Sequence, residues 1–203
     1  MTSEIMGENL TGSGRGSDSM NRYLVCDITQ KLMPHTSSIE WVSSSLDCLN
    51  KAIDEAPPIV VISFSGVSFR EREVLLELIR TLKDNTHTRD CSILVLLNSR
   101  DRKLAKALLQ LKVDFSRFIG DDKLDESELL TIINSLNPDH CLEDYLATVC
   151  PFLHNRRLES DHGRMVCSAL DDRLMPGARK LHKTCETIGH LHCQYFLNGE
   201  ADQ

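Results

Sequence analysis

Four cysteines, Cys150, Cys167, Cys185 and Cys193, are strung along one short tail with histidines among them. Five of the chain's eight cysteines and six of its eight histidines fall between His140 and Cys193. Thiolates bind soft and borderline metals and the irons of iron–sulfur clusters. Four thiolates are what a closed tetrahedral zinc site or a [4Fe–4S] cluster takes. The intervals between them are sixteen, seventeen and seven residues, so the tail lacks the CxxC knuckle common in structural zinc sites. The Cys150-Pro151 pair is a feature of some ferredoxin runs and favours a cluster. Zinc stays open, because His182, His190 or His192 could replace a thiol. The remaining alternative is four idle buried thiols. A bound metal would stabilise a segment too poor in apolar residues to fold on its own.

Other chemistry is not apparent. The chain has no glycine-rich phosphate loop, no Gly-x-Ser-x-Gly and no His-Glu-x-x-His. Cys150 and His154 stand four residues apart but have no third orienting group, so no enzyme is expected. Cys141 sits at a boundary, and Cys26, Cys48 and Cys91 are scattered ahead of it; these four read as structural. His154 and His162 flank charged runs and read as solvated.

The tail follows a segment of regular alternation. Tyr23–Ile28 and Ile39–Val42 read as strands, and Leu46–Glu55 as a helix with Leu46, Leu49 and Ile53 inward. Pro57-Pro58 ends that helix. Ile59–Phe64 and Ile93–Leu97 are apolar on both faces, as central parallel strands must be. Between them Phe69–Leu82 is amphipathic, with Val74, Leu75, Leu78, Ile79 and Leu82 inward. Arg102–Leu111 is helical and Phe115–Ile119 is a short strand. Asp125 with Glu128 predicts an N-capped helix through Leu136. Strands alternating with helices over short connections require right-handed crossovers and a parallel sheet. Five strands give a flavodoxin-like α/β fold of order 2-1-3-4-5, followed by a small, mainly helical Cys-rich module. Residues 1–21 are expected to be a disordered leader, 22–137 the sheet domain and 138–203 the Cys/His-rich module.

Composition narrows the partners. The charge is −7, with one Trp and three Tyr, which argues against nucleic acid and anionic membrane. No apolar run reaches the ~20 residues of a membrane span, and the polar start lacks a signal-peptide core. The expectation is a cytoplasmic protein whose thiols stay reduced.

The layout of residues 22–137 resembles the receiver domain of bacterial response regulators. The resemblance rests on the Pro58–Ile62 run, the Ile93–Ser99 run and the Phe118-Ile119 strand, in that order. It implies a phosphorylation site built from an acidic pair after the first strand, an Asp ending the third, a Ser or Thr after the fourth and a Lys after the fifth. Here those positions hold Asp27 alone, Ser63, Ser99 and Ile119-Gly120-Asp121. A Ser hydroxyl cannot form an aspartyl phosphate, and one carboxylate is a poor Mg²⁺ site. The site is therefore read as degenerate. The short span from Thr29 to Ser38 also leaves little room for a first helix, which would open a sheet face to a partner. The tail, from Cys150 to Phe196, is similar to a four-cysteine module in bacterial signalling proteins. Together these imply a non-enzymatic signalling adaptor that binds a protein partner and senses metal or redox state. An atypical phosphorylatable regulator, or a structural interaction protein with idle cysteines, are the alternatives.

Overall fold

A computed structural model describes residues 23–30, 32, 39–119, 124–137, 142–156, 164–170 and 174–198. The expected leader, and with it His140, Cys141, His162 and Asp121, lies outside the described residues.

The β-branched and apolar runs form the sheet. Strands β1 (Tyr23–Cys26), β2 (Ile39–Val42), β3 (Ile59–Ser63), β4 (Ser92–Leu97) and β5 (Phe115–Phe118) lie in the order β2-β1-β3-β4-β5. Every pairing is parallel. The fold is thus the flavodoxin-like arrangement expected, with β3 in the middle and β4 beside it. Successive side chains alternate between two cores. Leu24, Cys26, Val60, Ile62, Ile93, Val95 and Leu97 face one side. Val25, Val61, Leu94 and Leu96 face the other.

Helices α1 (Ser45–Glu55), α2 (Phe69–Asp84) and α3 (Arg102–Gln110) cover the first face, and α4 (Glu126–Asn134) packs on the second. Their ends are fixed by local chemistry. Ser44 caps α1 by accepting from the Asp47 N–H, and Ala56 closes it in the left-handed region at φ 45°. Ser68 with Glu71, and Asp125 with Glu128, form capping boxes that satisfy two orphan donors each. The Glu128 N–H bonded to Asp125 holds that carboxyl below its ordinary range.

Two inward faces differ from expectation. In α1 the buried residues are Cys48 and Ala52, while Leu46 is 65% exposed. Small side chains four apart let the helix lie close on the sheet, which leaves Leu46 outside, while Leu49 is half-buried and packs against the core as expected. Likewise Val74 stands at the rim of α2 and is 43% exposed.

The tail contains α5 (Leu142–Thr148) and an antiparallel hairpin of β6 (Leu153–Arg156) and β7 (Arg164–Cys167). Short turns follow: a 3₁₀ turn at Ser168–Leu170, α6 (Ala178–Lys180) running into a π turn at Leu181–Cys185, a second 3₁₀ turn at Ile188–His192, and α7 (Gln194–Asn198). Helical pieces are present as expected, and the hairpin is an addition to them. The tail does not pack apart from the sheet. Leu142, Tyr145, Val149, Phe152 and Leu153 share one buried cluster with Leu104 and Leu108 of α3. No described helix is long and apolar enough to cross a membrane.

The β4–α3 corner joins these layers. Asp101 caps α3 through the Lys103 and Leu104 N–H groups and pairs with Arg72 of α2. Both are largely removed from water, at 2% and 15% side-chain exposure. Breaking a buried pair costs far more than breaking a surface one. Asp101→Ala should therefore lower unfolding free energy by roughly 3 kcal/mol in urea titrations. Asp101→Asn keeps an acceptor for the cap and should cost less.

Candidate functional site

Asp27, Ser63 and Ser99, expected to form a degenerate phosphorylation site, all lie at the carboxyl edge of the sheet. Asp27 follows β1, Ser63 ends the neighbouring β3, and Ser99 lies just beyond β4. Their bonding is local. The buried Asp27 carboxylate accepts from the Thr29 N–H at 3.1 Å, the Thr29 hydroxyl at 2.8 Å and the Leu32 N–H at 2.8 Å. It thereby shapes the loop after β1. Ser63 is fully buried, and its hydroxyl accepts from the Ser65 N–H at 3.3 Å. Ser99 is half-buried. A cation at this edge would have to displace hydrogen bonds that the loop itself uses.

The four tail thiols converge. Cys150 stands in the turn between α5 and β6, and Cys167 ends β7. Cys185 ends the π turn, and Cys193 caps the second 3₁₀ turn. All four line one small enclosed cavity, walled also by Phe152, Leu174, Pro176, Lys180, His190, Tyr195 and Phe196. Backbone bonds fix the first three: the Cys150 N–H donates to the Cys185 carbonyl at 2.8 Å, and the Cys167 N–H to the Leu174 carbonyl at 2.9 Å. Cys150, Cys167 and Cys185 are buried, and Cys193 is half-exposed.

Burial sets the state of these thiols. Desolvation raises the Cys150 thiol above its ordinary value. It pushes Cys185 up to about 11, and the nearby Cys150, Cys167 and Cys193 sulfurs add to the rise. Burial therefore favours the neutral thiol at Cys150 and Cys185, and a metal must displace those protons. Among the described residues, no three His, Cys, Asp or Glu side chains are grouped tightly enough to hold one metal ion.

His190 is the one histidine in the chamber wall. It is buried, its Nδ1 lies 2.7 Å from the Thr187 carbonyl, and its ring packs edge-on against Phe196. A carbonyl only accepts, so Nδ1 carries the proton and Nε2 is left as the acceptor in the neutral ring. By contrast, exposed His182 pairs with Glu186, and exposed His192 lines an open groove with Arg179, Lys180, Lys183 and Thr184. Cys193 belongs to both the groove and the chamber. The other described cysteines are apart from this site. Cys26 and Cys48 lie buried under α1, where a hydrogen bond from Cys26 and burial raise the Cys48 thiol. Cys91 is buried before β4.

Sequence spacing named the four thiols but gave no means of separating His190 from its neighbours. It also missed Arg100 and Arg102, whose guanidinium groups reach the tail from the β4–α3 corner. The chain matches no protein-family model and no curated protein.

Two outcomes follow for the metal-free protein. Iodoacetamide should label Cys193 first, because it alone among the four is accessible; peptide mapping reads the order. Cys185 also links stability to pH. Its folded value near 11 exceeds the ordinary thiol value near 9, so its contribution is complete below about 9. That contribution is lost as pH rises through about 11, and thermal midpoints of the wild type should fall more steeply over this window than those of Cys185→Ser.

Proposed function

We propose that this chain is a non-enzymatic cytoplasmic signalling adaptor. Its receiver-like sheet domain binds a protein partner, and its tail carries a [4Fe–4S] cluster on Cys150, Cys167, Cys185 and Cys193. The observation that carries the reading is that four thiols far apart in sequence line one enclosed cavity. Chance burial of idle cysteines gives no reason for them to share a wall. The lack of a CxxC knuckle and the Cys150-Pro151 pair favour a cluster over a single zinc ion. Thiolate ligation would offset the desolvation that raises the Cys150 and Cys185 thiols. Cluster loss or oxidation then supplies the signal, by loosening the module.

The sheet edge supports the non-phosphorylatable part of the reading. Asp27 is engaged by its own loop, and the acceptor position holds a buried hydroxyl. Incubation with acetyl phosphate and Mg²⁺ should leave the intact mass unchanged, and a phosphoryl adduct would restore the phosphorylatable alternative.

Anaerobic purification with iron, sulfide and zinc analysis tests the cluster. The expected protein is brown and holds about four irons with matching sulfide. One equivalent of zinc would replace the cluster with a mononuclear site. Colourless, metal-free protein after reconstitution would leave the cysteines structural. Replacing any one of the four with Ser should abolish or sharply weaken loading.

A further inference from the structure

Two arginines at the β4–α3 corner reach across to backbone carbonyls next to Cys150 and Cys185. The Arg102 Nη1 donates to the Val149 carbonyl at 2.9 Å and also to the Leu146 carbonyl. These are carbonyls at the end of α5, which the helix cannot satisfy itself. The Arg100 Nη1 donates to the Glu186 carbonyl at 2.7 Å. Neither arginine has an ion-pair partner among the described residues.

The Val149 carbonyl and the Cys150 N–H belong to one peptide unit. That N–H donates to the Cys185 carbonyl, and the next N–H, on Glu186, donates to the Leu181 carbonyl at 3.0 Å. A single chain of hydrogen bonds therefore runs from the Arg102 guanidinium through the backbones of both cysteines. A cationic donor at its head polarises and strengthens each following bond. Arg100 holds the other end of the Glu186 residue. Its guanidinium also lies 5.3 Å from the Phe118 ring centre, and Phe118 packs on Tyr145 of α5 at 4.6 Å.

We infer that Arg100 and Arg102 are positioning residues for the cluster ligands Cys150 and Cys185, and that through them the β4–α3 corner and the cluster control each other's stability. The inference rests on the cluster reading above. Neither arginine lines the cavity; Arg102 acts through the peptide unit of Val149 and Cys150, and Arg100 through Glu186, the residue after Cys185. Coupling must run both ways, because any stabilisation of the ligated form by the corner equals the stabilisation of the corner by ligation.

The test compares reconstituted wild type, Arg100→Gln, Arg102→Gln, the double variant and Arg102→Lys. Readouts are the rate of iron release to a chelator and the cluster's midpoint potential. Loss of such supporting contacts typically weakens a metal site 10- to 100-fold. The double Gln variant should release iron about 10-fold faster or more, with a shifted potential. Arg102→Lys should recover much of the loss, since three ammonium donors can reach both carbonyls. Loaded variants with wild-type release and potential overturn the inference while leaving the cluster reading intact. A wild type that takes up no iron overturns both. Circular dichroism identifies a variant that fails to fold, and hydrogen exchange on the wild type then decides. Amides of residues 100–104 should exchange more slowly with the cluster than without it, and equal exchange overturns the inference.

Discussion

The tail is built from pieces that cannot hold their own shape. Beyond the seven residues of α5, its helical segments run three to five residues each. Isolated helices are marginal below about 12 residues, because nucleation fixes several dihedrals for one hydrogen bond. Such pieces persist only when something outside them holds them. Part of that support is the face of α3, where Leu104 and Leu108 pack with Val149, Phe152 and Leu153. Each fully buried side chain of this size contributes about 1.5–3 kcal/mol, less the entropy of ordering it. The rest lies around the thiol chamber, whose walls come from five separate stretches of the tail. The dependence explains why the tail shares a core with the sheet.

The same dependence gives the sheet's carboxyl edge a new occupant. Asp101 is held by Arg72 and by the first turn of α3, so the corner that presents Arg100 and Arg102 is stiff. Stiffness matters there because a guanidinium fork positions its acceptors only if its own base is fixed. At the opposite strand, the Asp27 carboxylate is spent on the loop that leads away from β1. On the proposed reading, an edge suited to phosphate chemistry has become a structural seam.

The sheet was legible because its signal is local and redundant. Runs such as Ile59–Ile62 are apolar at every position, so no register error could hide their double burial. The capping pair Asp125 and Glu128 marks its helix from four consecutive residues. The inward side of α1 was only partly legible, because Leu49 packs on the core but Leu46 lies on an apolar stripe beside the Cys48–Ala52 stripe that the sheet selects. The β6–β7 hairpin was hidden because Leu-His-Asn-Arg carries little strand signal; its pairing is specified by what it packs against. The thiols themselves could be named from residue type and number. Their convergence could not, since the hydrogen bonds that bring Cys150 beside Cys185 join positions with no common periodicity.

The Arg100–Glu186 bond spans 86 residues, and the Arg102–Val149 bond spans 47. Contacts of that separation form late, because closing a long loop precedes any reward from the bond. The strand pairings Leu24–Val60 and Val60–Ile93 close smaller loops than either arginine bond. The sheet thus serves as the template on which the tail assembles, and a chain that has completed only its sheet leaves Leu104 and Leu108 uncovered. That interval exposes an apolar stripe to other unfinished chains. The speed with which the tail lands on α3 therefore governs the yield of monomeric protein, independently of how stable the finished molecule is.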